Sequence, residues 1–177
     1  MNRIEQLLSA GDLRTIGKSE DIVKSVKSDP KLLSDVVNAI LVENPGVRMR
    51  ASDAIEKITR DNPEWLMPYK RKILTKIACI NQKEVRWHMA QILPRLGLTK
   101  KEREKVFKIM QSYLHDESSI VRTFAMQALT DIAIQDHSYA GKVRNQLDRL
   151  IEGGSPAMKS RGKKLLAFLD GRKTKPN

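Results

Sequence analysis

Apolar residues recur along this chain with a helical period, and the pattern itself is repeated. Val47-Arg48-Met49-Arg50-Ala51-Ser52-Asp53-Ala54-Ile55, Val85-Arg86-Trp87-His88-Met89-Ala90-Gln91-Ile92-Leu93 and Val121-Arg122-Thr123-Phe124-Ala125-Met126-Gln127-Ala128-Leu129 align position by position, with starts 38 and 36 residues apart. Met158-Lys159-Ser160-Arg161-Gly162-Lys163-Lys164-Leu165-Leu166 follows 37 residues later in the same register, and a degenerate first copy begins near Leu13-Arg14. In each copy the first, fifth, eighth, ninth and twelfth positions are apolar. At about 100° per residue these share one helical face, so each copy predicts an amphipathic helix.

A second apolar-periodic segment separates the copies: Leu32/Leu33/Val36/Val37/Ile40, Leu66/Ile73/Ile77/Ile80, Val106/Phe107/Met110/Tyr113/Leu114 and Val143/Leu147/Leu150/Ile151. The repeating unit is therefore a helix pair. Asn44-Pro45, Asn62-Pro63 and Ser155-Pro156 set a capping side chain before a proline at the first helical position. Thr99-Lys100-Lys101-Glu102 and Asn81-Gln82-Lys83-Glu84 have capping-box spacing. Pro68, inside its helix, predicts a kink, because proline lacks the backbone donor and clashes with the preceding turn. No strand pattern competes. The expectation is an all-α chain of five helix pairs, Asn2 to Val26, Pro30 to Arg60, Pro63 to Leu96, Thr99 to Ile134 and His137 to Leu169. These form one domain over residues 1–170, with a frayed basic tail at 171–177.

The copies resemble the HEAT-repeat (armadillo-like) family, whose second helix looks like Val-Arg-x-x-Ala-x-x-Ala-Leu after a short turn containing an acid or asparagine. Asp116 to Leu129 carries the likeness best; at the ends, Gly17 and Gly162 replace the central alanine. The resemblance implies a right-handed α-α superhelix, a solenoid in which terminal repeats are usually atypical. It also implies that the arginine row, Arg48, Arg86, Arg122 with Lys159, bonds an acid or asparagine of the inter-helix turn: Glu43 or Asn44, Asn81 and Asp116. The family says little about function, since one repeat architecture serves many roles.

The third position of each second helix lies about 200° round the wheel, opposite an apolar arc centred near 25°. By resemblance that side lines the concave surface, so Met49, Trp87, Ala90, Pro94, Thr123 and Met126 are expected to form an exposed, partly apolar strip there. Contiguous apolar surface marks contact sites, and an exposed tryptophan is a typical anchor. A non-catalytic scaffold or interaction module binding a protein or peptide follows, with Trp87, Met49, Ala90, Thr123 and Met126 as its contact residues. The competing reading for Trp87 is sideways packing onto a neighbouring repeat, and Trp65 is read as packing of that kind.

Charge adds an alternative. The chain carries a net +12 at a pI near 9.9, and from Gly153 onward seven bases face one acid, Asp170. Electrostatic binding of nucleic acid would use Arg50, Lys159, Arg161, Lys163 and Lys164 on phosphates. A sharper version is an alkyl-base glycosylase resembling the HEAT-like repair proteins, with Asp53 one repeat from Trp87 as carboxylate and aromatic.

Other chemistry finds little support. No Gly-rich phosphate loop, nucleophile elbow or Cys-His signature occurs, so no enzyme activity, cofactor or small-molecule substrate is expected. His88, His115 and His137 are not spaced as metal ligands. The one cysteine, Cys79, lies in Ile77-Ala78-Cys79-Ile80, which excludes an intrachain disulfide and suggests a buried thiol. No apolar leader opens the sequence, and no apolar run approaches about 18 residues. The expectation is a cytoplasmic protein without membrane insertion.

Overall fold

The computed structural model describes residues 3–9 and 18–171. Every element among them is helical. The degenerate repeat start near Leu13, Gly17 and the tail at 172–177 with its three bases lie outside the described residues. The chain divides into two compact units, Met1–Gly97 and Leu98–Asn177.

The first unit holds α1 (Arg3–Ser9), α2 (Ser19–Ser28), a 3-10 turn at Pro30–Leu32 running into α3 (Leu33–Ala39), and α4 (Pro45–Thr59). A 3-10 segment, Pro63–Tyr69, then leads into the short α5 (Lys70–Thr75), a 3-10 turn Ile77–Cys79, α6 (Lys83–Ile92) and a last turn Leu93–Arg95. The second unit holds α7 (Lys100–Tyr113), α8 (Ser119–Gln135), a turn at His137–Tyr139, α9 (Ala140–Gly153) and α10 (Pro156–Leu169). Among the described residues α3 packs on α4, α7 on α8 and α9 on α10, as the repeat spacing predicts.

Several ends have the expected chemistry. Asn44 Oδ1 accepts from the backbone N–H of Gly46 at 2.9 Å and of Val47 at 3.1 Å, with Pro45 next to it at the first helical position. Thr99 and Glu102 close a reciprocal capping box on α7, and Ser155 caps α10. Two expected caps are not made. Asn62 stands directly before the 3-10 segment that Pro63 opens, but its side chain makes no capping bond. The residue preceding α6 is Gln82, which leaves Asn81 outside; its side-chain Nε2–H instead donates to Pro45 O, 2.9 Å away, one helix pair earlier.

The predicted kink at Pro68 is more than a bend. Two prolines within one short segment remove backbone donors, and the chain from Pro63 to Cys79 breaks into 3-10, α and 3-10 pieces. This disruption corrects the reading of Cys79. The change of winding at Ile77 buries Ile77 and Ala78 and turns Cys79 outward, where its thiol is exposed, with Sγ 3.7 Å from Thr75 O.

Helix α4 is the centre of the first unit. Twelve of its 15 residues are buried, because α1, α2, α3 and α6 all pack against it. In the second unit α8 contacts α7, α9 and α10. Gly162, which departs from the alanine of the repeat, has a physical reason to do so: a Cβ there would stand 2.6 Å from Ile151 Cγ1 and 3.1 Å from Met126 Cε. Close approach of α9 and α10 offsets the roughly 1 kcal/mol that glycine costs inside a helix.

Two members of the arginine row bond backbone carbonyls of the inter-helix turns. The Nε–H groups of Arg48 and Arg86 donate to Val42 O and, at 3.3 Å, to Ile80 O, each six residues earlier. Asn44 is occupied in capping α4, and Asp116 Oδ1 accepts from the N–H of Ser118. Arg122 Nε is buried without a hydrogen-bond partner, so the row is not uniform.

Candidate functional site

The second helices do not present the expected strip. Met49 is 7% exposed, Ala90 2% and Met126 0%, and Ser52, Glu56, Pro94 and Thr130 are buried as well. A helical wheel with one buried face underestimates burial here. Helix α4 has second helices on both flanks, α2 and α6, besides its own first helix, so positions near 200° are covered laterally. Met126 is enclosed in the same way, its Cε beside Gly162 of α10. Of the five predicted contact residues only Trp87 and Thr123 reach solvent, both half-buried.

Arg50 also departs from its predicted role on phosphates. It is 1% exposed, and its Nη1–H donates to Leu8 O at 2.7 Å. Leu8 lies in the last turn of α1, where carbonyl groups have no partner within the helix. The guanidinium therefore terminates α1 from inside the core, where a cation also opposes the negative end of the helix dipole.

Around His88, the neighbour of Trp87 in sequence, the first unit collects charged side chains. Asp53 accepts from Ser19 Oγ at 2.6 Å and pairs with Lys57 Nζ at 3.0 Å; Lys57 also pairs with Glu20. Glu56 pairs with Arg60 at 2.7 Å and Arg95 at 2.8 Å. Burial alone would raise the Glu56 pKa, but the two guanidinium groups outweigh it and hold the carboxyl below its usual range. His88 is buried beside this cluster with its Nδ1 unpartnered, and its ring centroid is 5.4 Å from that of Trp87 at a tilt of 60°. No group of three His, Cys, Asp or Glu side chains among the described residues could hold a metal ion.

Desolvation pushes the His88 pKa from 6.5 down to about 4, against the opposing pull of Asp53 and Glu56. Folding should therefore weaken in mild acid. Between these two values the unfolded chain binds a proton that the folded chain refuses, so the contribution is complete above pH 6.5 and is lost as pH falls toward 4. The loss should reach about 2 kcal/mol by pH 5. Urea midpoints of the parent and of His88→Leu at pH 7 and pH 5 check this: the parent should lose stability and the variant should lose less. Equal losses would assign the acid sensitivity elsewhere.

The second unit has a different surface. The first two turns of α8 and the first turn of α10 enclose a shallow groove of about 180 Å³, lined by Ser119, Ile120, Thr123, Phe124 and Ala157. Ile120 is 48% exposed and Phe124 is half-buried, while the Thr123 hydroxyl donates back to Ser119 O at 2.7 Å. Helix α10 contains no acidic residue, and Lys159, Lys163 and Lys164 on it are exposed and form no ion pair among the described residues. Arg161 is half-buried and donates from Nη1 to Gln127 Oε1 of α8 at 3.2 Å, which ties the two helices together.

Sequence reasoning missed Ile120 and Phe124. Ile120 stands one residue before the repeated Val-Arg, off the apolar arc by the same wheel that was applied to Trp87, and a bulky aliphatic residue at that place was the available signal. As to kinship, no protein-family model matches the chain, and no curated protein or solved structure is significantly similar to it.

Proposed function

We propose that this chain is a non-catalytic interaction module: a solenoid of HEAT-like helix pairs that binds a protein or peptide on the surface of its second helices. The observation that carries the reading is the open apolar groove of the second unit, where Ile120 stays half in solvent beside Thr123 and Phe124. A groove of this size is smaller than pockets that enclose small-molecule ligands, roughly 300 to 1,000 Å³, but suits an anchoring side chain of a larger partner. In the first unit Trp87 is the remaining candidate contact, since Met49 and Ala90 are core. The repair-enzyme version is not favoured, because Asp53, the carboxylate it needs, is engaged by Ser19 and Lys57.

Electrostatic nucleic-acid binding remains a second reading, favoured by the unpaired lysines Lys159, Lys163 and Lys164. Arg50 drops out of it because it is buried. Affinity capture from native extract, with and without nuclease, separates the two when the parent chain is compared with Trp87→Ala and Ile120→Asp. A protein retained after nuclease and lost with either variant is the expected result. Captured material that disappears on nuclease treatment, or at moderately raised salt, would replace this reading with the second one. Thermal denaturation of Trp87→Ala should show a cost between the roughly 0.5 kcal/mol of a surface change and the roughly 3–5 kcal/mol of a buried aromatic.

A further inference from the structure

The solvent face of α7 carries charges that the fold does not use. Lys101, Lys105 and Lys108 stand at i, i+4 and i+7 and form one stripe, flanked by Lys100 and Glu104, and all five side chains are exposed. Glu104 pairs with Lys108 at 3.0 Å, and its carboxyl is held below the usual range first by that lysine and then by Lys142 and Lys100. Lys142, an exposed residue of α9, therefore stands beside the stripe. The other acids nearby are engaged elsewhere: Glu102 closes the capping box with Thr99, and Asp136 accepts from Ser138 and Arg103. Asp148 and Glu152 follow Lys142 along α9 by about 9 and about 15 Å of helix rise. Lys100, Lys101, Lys105 and Lys142 make no hydrogen bond or ion pair among the described residues.

Position adds to the count. Lys100 and Lys101 occupy the first turn of α7, where the helix dipole already presents positive charge and favours an acid. Helix α2 follows that preference with Glu20 and Asp21. Two unpaired lysines at such an end repel the dipole, and an external anion relieves the repulsion. No large apolar side chain of α7 or α9 is exposed among the described residues, so this face has nothing to insert into lipid. It also lacks the dry core of a protein interface, from which lysine is depleted. Phe107 and Tyr113 are buried, which leaves unpaired bases no aromatic platform on α7.

We propose that the lysine face of α7, with Lys142 of α9, binds the phosphate backbone of a nucleic-acid duplex. Lys100 to Lys108 span about 12 Å of helix, a length over which a duplex presents about seven charges. Contacts of this kind read no base edges, so binding is independent of sequence. The face belongs to the first helices of their pairs and uses neither the groove nor Trp87. It goes beyond the interaction-module reading and does not depend on it.

Fluorescence anisotropy on the full chain tests this with labelled DNA and RNA duplexes, polyglutamate, and phosphatidylserine vesicles. Both duplexes should bind, and raising salt from about 50 to about 200 mM should weaken binding about 100-fold, the expectation for about four phosphate contacts. At about 150 mM salt, Lys101→Glu with Lys105→Glu should lose at least about tenfold and flatten the salt slope by about two. Lys163→Glu with Lys164→Glu changes the net charge equally on α10 and should lose less than about threefold, because charges beyond about 8 Å are screened at that salt. Thermal stability of the α7 pair should be held or raised, since an acid in the first turn suits the dipole, so weaker binding cannot come from unfolding. Equal losses from the two pairs would mean that net charge alone is read, and would overturn the proposal. So would tighter binding of polyglutamate or vesicles than of duplex, or no duplex binding at about 50 mM salt. A nuclease-resistant protein captured by way of Trp87 or Ile120 is unaffected by any of these results, so failure here leaves the interaction-module reading standing.

Discussion

Arg50→Ala should destabilise the protein by about 3–5 kcal/mol, the range of a large buried side chain lost together with a buried hydrogen bond. The side chain is almost wholly enclosed, and its Nη1–H satisfies Leu8 O at the end of α1. Truncation leaves a cavity beside Gly46, whose position lies against the same guanidinium: a Cβ on Gly46 would be 3.0 Å from Arg50 Nη1. It also strands the carbonyl in a core that water does not reach. Urea denaturation followed by circular dichroism is the measurement. A loss no larger than that of an exposed substitution, with nucleic-acid affinity falling instead, would restore Arg50 to the phosphate-binding role its sequence suggests.

Met126→Ala should cost about 2–5 kcal/mol, whereas Thr123→Ala, three residues earlier on the same helix, should stay within about 1 kcal/mol. Met126 has no exposed surface, and its Cε lies where a Cβ on residue 162 would approach to 3.1 Å. The two positions should therefore be coupled. Gly162→Ala in the parent must displace both Ile151 and Met126; in the Met126→Ala background one obstacle is gone, so the added methyl should cost less. Independent, additive effects of the two substitutions would show that α8 and α10 are less closely apposed than described. If Met126→Ala were silent in stability, Met126 would be a surface residue after all.

The period of the apolar positions was enough to mark the chain as all-helical and to place the pairs α3 with α4, α7 with α8 and α9 with α10, because burying one face of a helix requires apolar residues at helical spacing whatever the partner. Pro45 with Asn44, Thr99 with Glu102 and Ser155 with Pro156 marked real starts for the same local reason: capping involves residues within one turn. The failures are equally local in origin. Spacing suggests Asn62 and Asn81 as caps, but Asn62 stands at the start of its 3-10 segment without making the side-chain bond, and α6 begins one residue beyond Asn81, after Gln82.

What neighbouring helices cover, however, is not written in the period of one helix. A wheel assigns one inside and one outside, while α4 and α8 have partners on several sides, so Met49 and Met126 passed from predicted surface to core; Ala90, on α6, is buried as well. Arg50 was read as a free cation because sequence shows charge but not the α1 carbonyl, 42 residues away, that receives it. The groove at Ile120 arises in the opposite way: α8 and α10 meet at their first turns without enclosing that side chain. By itself, then, the sequence determined the helical class, most of the helix positions and the excess of basic charge, all consequences of local spacing and composition. Only tertiary structure decided which polar groups are spent on each other and which apolar ones stay in water, because both depend on distances between segments far apart in the chain.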